Sequence, residues 1–123
     1  MATIALTAED FGQTITDNGI VFVDFWAAWC GPCRMFGPVF EAVSEAHPDA
    51  VFGKVDTEDQ RDLAGGLGIT SIPTLMAFRD GYLVYREAGA LNKSQFDKLV
   101  QTVKNLDMEK LKAQADAEAA TAG

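Results

Sequence analysis

The sequence predicts an α/β fold, a central mixed β-sheet flanked by helices, and three features predict it. Apolar runs rich in β-branched and aromatic residues alternate with segments whose apolar side chains recur at helical spacing, the order of a sheet built from β-α-β units. Asp80-Gly81 separates two such runs, where it suits a tight hairpin and makes part of the sheet antiparallel. With 123 residues, 48% of them hydrophobic, the chain can fill the core of one domain.

The elements follow in order. Thr7-Ala8-Glu9-Asp10 reads as a helix start with an acidic first turn; Phe11 and Ile15 share a face before Asn18-Gly19 ends a first helix of about three turns. Residues 20–26, Ile-Val-Phe-Val-Asp-Phe-Trp, are apolar on both parities, as a strand covered on both faces is, and form the candidate central strand. Phe36, Val39, Phe40 and Val43 mark a helix starting at or near Cys33, with Pro38 inside it as an expected kink. Val51 to Asp56 is a second strand. The polar stretch 57–60 opens a brief helix that Gly65, Gly66 and Gly68 terminate. Thr74 to Arg79 and Tyr82 to Glu87 form the hairpin, and Asn92 caps a last helix with the face Phe96, Leu99, Val100 and Val103. From 107 to 123 the chain is mainly Ala with charged residues and Gln, high in helix propensity but poor in surface to dock. We therefore divide it into a domain at 1–106 and an extension at 107–123, a frayed helix or a disordered tail.

Charge narrows the function. Eighteen acidic against ten basic side chains give a net charge of −8, which repels nucleic-acid phosphates and anionic lipid, so neither nucleic acid nor membrane is expected as a partner. The longest apolar run, 20–30, is too short for a bilayer and contains Asp24. The first residues lack a basic stretch followed by a long apolar core, and the expected location is cytoplasmic.

In a reducing compartment, two cysteines three positions apart need a reason. Closing so short a loop restricts the unfolded chain by only roughly 2 kcal/mol, which makes stapling a poor one. Zinc usually takes four ligands, and the only histidine is His47, expected to be a solvated residue at a helix end; no metal site is expected. Redox chemistry remains. Cys30 lies just before a helix whose free N–H groups and dipole favour a thiolate, so it is the candidate nucleophile. Cys33, a turn inside and expected to be less exposed, is the candidate resolving thiol, and Gly31 and Pro32 keep the turn between them compact. Asp24 sits mid-strand among apolar neighbours on either face, and burial there should raise its pKa.

Val23-Asp24-Phe25-Trp26-Ala27, Trp29-Cys30-Gly31-Pro32-Cys33, Ile72-Pro73-Thr74 and Gly89-Ala90-Leu91 together resemble the bacterial thioredoxin family, in order and spacing, over roughly residues 4–104. The resemblance implies the thioredoxin fold, a βαβαββα core with a short N-terminal strand, and a cis peptide bond at Pro73. It implies a monomeric protein-disulfide reductase with no bound cofactor, fed with electrons from NADPH by a flavin-containing thioredoxin reductase. It further implies that Trp29, Gly31, Pro32, Ile72, Pro73, Ala88, Gly89 and Ala90 form an apolar surface for extended substrate chains. Asp24 matches a buried acid that exchanges a proton with the resolving thiol, and Lys54 its lysine neighbour. Taken alone, Trp29 and Ile72 would suit ordinary core, and Lys54 an exposed strand position. A binding module that ignores the thiols, and an oxidant or isomerase, are the rival readings. The intact cysteines argue against the first, and the Gly-Pro pair and the absence of a leader against the second.

Overall fold

A computed structural model describes residues 2–122; Met1 and Gly123, the outer ends of the domain and of the extension drawn from sequence, lie outside the described residues. Five strands form one sheet in the order β1-β3-β2-β4-β5. The strands are β1 (Thr3–Ala5), β2 (Ile20–Trp26), β3 (Val51–Asp56), β4 (Thr74–Arg79) and β5 (Tyr82–Ala88). β3 runs parallel to β1 and β2, whereas β4 is antiparallel to both β2 and β5. This is the expected mixed sheet with β2 at its centre, and β1 supplies the short N-terminal strand. Gly53 is required where β3 passes the β1 end, since a Cβ there would overlap the Leu6 side chain.

Helices cover both faces. α2 (Gly31–Ala46) and α4 (Lys93–Lys104) pack on one face, where Phe22, Phe36, Phe40, Phe52 and Phe96 are all but fully buried and interlock at ring-centroid distances of 5.2 to 6.0 Å. On the other, Val21, Val23, Phe25, Val55 and Met76 meet Phe11 of α1 (Phe11–Asp17) and Leu63 of α3 (Arg61–Gly66). The two-sided burial of β2 explains why its sequence is apolar on both parities.

Three local expectations need correction. α1 has seven residues, about two turns, because Asp10 turns its carboxylate back onto the Thr7 N–H at 2.6 Å and Gln60 takes the Ala8 N–H at 2.8 Å. Those bonds close a turn ahead of the helix, so the acidic residues precede it. α3 begins at Arg61, because the Asp56 carboxylate accepts the Glu58 and Asp59 N–H groups and makes 57–59 a turn. Gly65 and Gly66 lie inside that helix, and Gly68, at φ +69°, ends it as the Ile69 N–H returns to the Ala64 carbonyl at 2.9 Å. α2 starts at Gly31, near Cys33 as expected, and stays helical past Pro38.

The hairpin has positive φ at both Asp80 (52°) and Gly81 (84°), as its sequence demands, and Asn92 with Gln95 forms a reciprocal cap on α4. Beyond it, α5 (Met108–Ala122) is helical; Met108 is buried, and Lys112 Nζ lies 3.2 Å from Asp80 Oδ2 at the hairpin. Among the described residues no helix is long and apolar enough to cross a membrane.

Candidate active site at the strand-to-helix junction

β2 ends at Trp26 and α2 begins at Gly31, so the chain reverses over four residues whose last, Cys30, is the N-cap of α2. Its extended backbone and the Pro at the start of the helix place the Cys30 sulfur over the open end, where Sγ accepts the Cys33 N–H at 3.2 Å. The two residues are joined by a disulfide across a Cα–Cα distance of 5.2 Å. Exposure does not separate them, at 5% for Cys30 and 4% for Cys33. The expected difference in accessibility is therefore absent in the oxidised form, because the bond draws both sulfurs against Ala27, Trp26 and Ile72. What separates them is position: Cys30 caps the helix and Cys33 lies within its first turn.

The second wall is the loop before β4. The Ile72-Pro73 peptide bond is cis, and the Ile72 carbonyl oxygen lies 3.6 Å from Cys30 Sγ. Gly89, at φ +110°, donates its N–H to the Pro73 carbonyl at 2.8 Å, which ties the end of β5 to this loop. Gly31, Pro32, Ala88, Gly89 and Ala90 are exposed, Ile72 is half-buried and Pro73 is buried. Trp29 is 66% exposed, which excludes a core role.

Asp24, two residues before the end of β2, is fully buried, and neither carboxylate oxygen has a hydrogen-bond partner among the described residues. Burial pushes its pKa up from 3.8 to about 7, against a smaller downward pull from the charge of Lys54. Lys54 is directly across from Asp24 in the β2–β3 register but makes neither a hydrogen bond nor an ion pair with it among the described residues; its Nζ stands 5.1 Å from the Trp26 ring centroid. The lysine thus acts on Asp24 through its charge alone.

Glu58 is a site residue that the sequence did not betray. It accepts the Trp29 indole N–H at 2.9 Å and pairs with Arg61 at 2.7 Å, contacts that hold its carboxyl below the usual range. Twenty-nine residues separate it from Trp29, and a glutamate in an acidic turn carries no local sign of such a bond. Arg34 similarly returns to the Ala28 carbonyl at 3.2 Å, and Met35, 74% exposed, stands next to it on α2.

His47 overturns its expectation. It is 4% exposed, with Nε2 2.7 Å from Asp97 Oδ1 and Nδ1 2.6 Å from Lys104 Nζ, because α4 brings both side chains over the end of α2. It belongs to the packing of the opposite end of the molecule. Among the described residues no group of three or more potential ligands could hold a metal ion.

Comparison with known proteins gives one consistent result. The thioredoxin family model matches residues 2–105. A protein of Streptomyces coelicolor named putative thioredoxin 2 is 48% identical over 122 residues, covering 99% of this chain and 91% of its own. Thioredoxin of Alicyclobacillus acidocaldarius is 44% identical over 78% of this chain and 92% of its own. In structure, the chain superposes on a mutant thioredoxin from Halobacterium salinarum with a TM-score of 0.77 at 32% identity, over 85% of this chain and 91% of that one.

Proposed function

Since this chain belongs to the thioredoxin family, and is by that membership a thiol-disulfide oxidoreductase, we propose that it works as a protein-disulfide reductase through Cys30 and Cys33. The observation that carries the proposal is the place of Cys30 at the N-cap of α2, with Sγ accepting the Cys33 N–H. In the dithiol form that N–H and the helix dipole favour the thiolate.

The Cys30 thiolate attacks one sulfur of a substrate disulfide; a Cys30–substrate bond forms, the substrate S–S bond breaks, and one substrate thiolate leaves. Cys33, its proton passed to Asp24, attacks Cys30 Sγ and expels the second substrate thiolate. Two electrons have moved to the substrate, and the Cys30–Cys33 disulfide has formed. Asp24 suits this proton because a carboxyl with a pKa near 7 accepts and returns it at neutral pH. Trp29, Gly31, Pro32, Ile72, Pro73 and the 88–90 segment dock the substrate chain beside the sulfurs, with Glu58 fixing the Trp29 ring. Gly31 and Pro32 also tune the redox pair by keeping its turn compact.

No cofactor is bound in this scheme. A flavin-containing thioredoxin reductase returns the disulfide to the dithiol with electrons from NADPH, and the protein acts as a monomer in the cytoplasm. Residues 1–106 carry the activity, and 107–123 are an extension beyond it that contains α5 (Met108–Ala122).

The test is NADPH consumption with a thioredoxin reductase and insulin as final acceptor, in the wild type and two variants. Wild type should sustain turnover and both Cys→Ser variants should lose it. Cys33→Ser should accumulate mixed disulfides on non-reducing gels, whereas Cys30→Ser forms almost none. Equal trapping by both variants overturns the assignment of the nucleophile.

A further inference from the structure

The seven residues 67–73 link α3 to β4 without regular structure and bring Ile72 against Cys30. Their first part is secured by α3, through the Leu67, Gly68 and Ile69 N–H groups. At both ends the loop is also gripped by β5 and the residue that follows it. Near its start, the Arg86 guanidinium donates to the Leu67 carbonyl at 2.7 Å and to the Gly68 carbonyl at 2.9 Å. At its end, Gly89 donates its N–H to the Pro73 carbonyl.

Arg86 is well suited to this work. Its backbone pairs with Met76 in the β4–β5 register, so the base of the side chain is fixed by the sheet. Its planar fork meets two successive carbonyls at the C-terminal end of a helix, where the dipole adds to the attraction for a cation. Both bonds are charge-assisted. A lysine would reach the same carbonyls with a single point charge, and an uncharged chain would leave them to water.

Resting on the reading of the preceding subsection, we propose that Arg86 is a positioning residue whose clamp on Leu67 and Gly68 sets the loop carrying Ile72 and Pro73 against Cys30, so that substrate meets a preformed docking edge. Arg86 touches neither sulfur, and its effect is on docking and not on thiol reactivity.

Arg86→Met and Arg86→Lys, compared with wild type, test this through three readouts: KM and kcat for insulin, the rate of Cys30 alkylation by iodoacetamide in the reduced protein, and amide exchange at Gly89. Because Arg86 is exposed, both variants should fold. Arg86→Met should raise KM about fivefold while leaving kcat and alkylation nearly unchanged, and Arg86→Lys should fall between it and wild type. Gly89 exchange should quicken in the Met variant as the loop loosens. An unchanged KM, or kcat and alkylation falling in step with it, overturns the proposal. A wild type unable to reduce insulin removes the functional reading instead, and the clamp then stands or falls on Gly89 exchange.

Discussion

Asp24 and His47 are both buried and both ionisable, and they lie at opposite ends of the α2 face of the sheet, yet the fold treats them in opposite ways. His47 has a partner on each ring nitrogen, Asp97 on one side and Lys104 on the other, and Lys104 is held in turn by Asp49 at 2.7 Å. Asp24 has none among the described residues, and the cation across from it, Lys54, is turned over Trp26. A buried polar group left without hydrogen bonds costs stability, and the cost falls at the end that holds the disulfide. The far end is built for packing, and the near end leaves a buried carboxyl without a hydrogen-bond partner among the described residues.

Replacing the two residues should therefore have opposite effects on stability, and the larger belongs to Asp24. Its folded pKa of about 7 lies above the 3.8 of the free group, so the native state holds the extra proton. The contribution of the group to stability is full below pH 3.8 and is lost as pH rises toward 7. Asp24→Ala should stabilise the oxidised protein by roughly 3 kcal/mol at pH 8, with the gain shrinking from pH 7 downward, read by denaturant unfolding across pH. In the reduced protein the same change should leave Cys30 attack nearly intact and slow release of the reduced substrate in single turnover, about tenfold or more. A destabilised variant with unchanged resolution would make Asp24 a structural carboxylate.

His47→Ala should do the reverse. It removes a packed ring together with its bonds to Asp97 and Lys104, so it should destabilise by about 2 kcal/mol and leave resolution of the mixed disulfide at the wild-type rate. A slowed resolution step would mean that the two ends of α2 are coupled.

The smallest effect concerns α5, which touches the far end through Met108 and the Lys112–Asp80 pair. Ending the chain at Leu106 should lower stability by about 1 to 2 kcal/mol, chiefly from Met108, and keep reductase coupling. The melting temperature should fall by less than about 10 °C. A larger fall would show that the extension belongs to the core.

Which parts of this contrast were legible in the sequence follows from the range of the forces involved. β2, β3 and β4 have the bounds their patterns predict, and β5 is longer by one residue, because alternation and flanking turn residues are local signals. The starts of α1 and α3 were drawn too early, since Asp10, Gln60 and Asp56 divert N–H groups through side-chain bonds that no periodicity reveals. The burial of Asp24 was readable because its four nearest strand neighbours are apolar. That of His47 was not, because α4 covers it from fifty residues away.

By itself, then, the sequence determined the fold class, the disulfide-forming pair at a helix start, the isolated acid in the central strand and the capped last helix, each written within a few adjacent residues. Only the tertiary structure decided that Ile72 faces Cys30, that Glu58 holds the Trp29 indole, that Lys54 stands across from Asp24 without bonding it, and that Arg86 grips the loop before β4. Those contacts join residues 18 to 42 positions apart, and they depend on strand register and helix placement, which the packing of the whole core fixes.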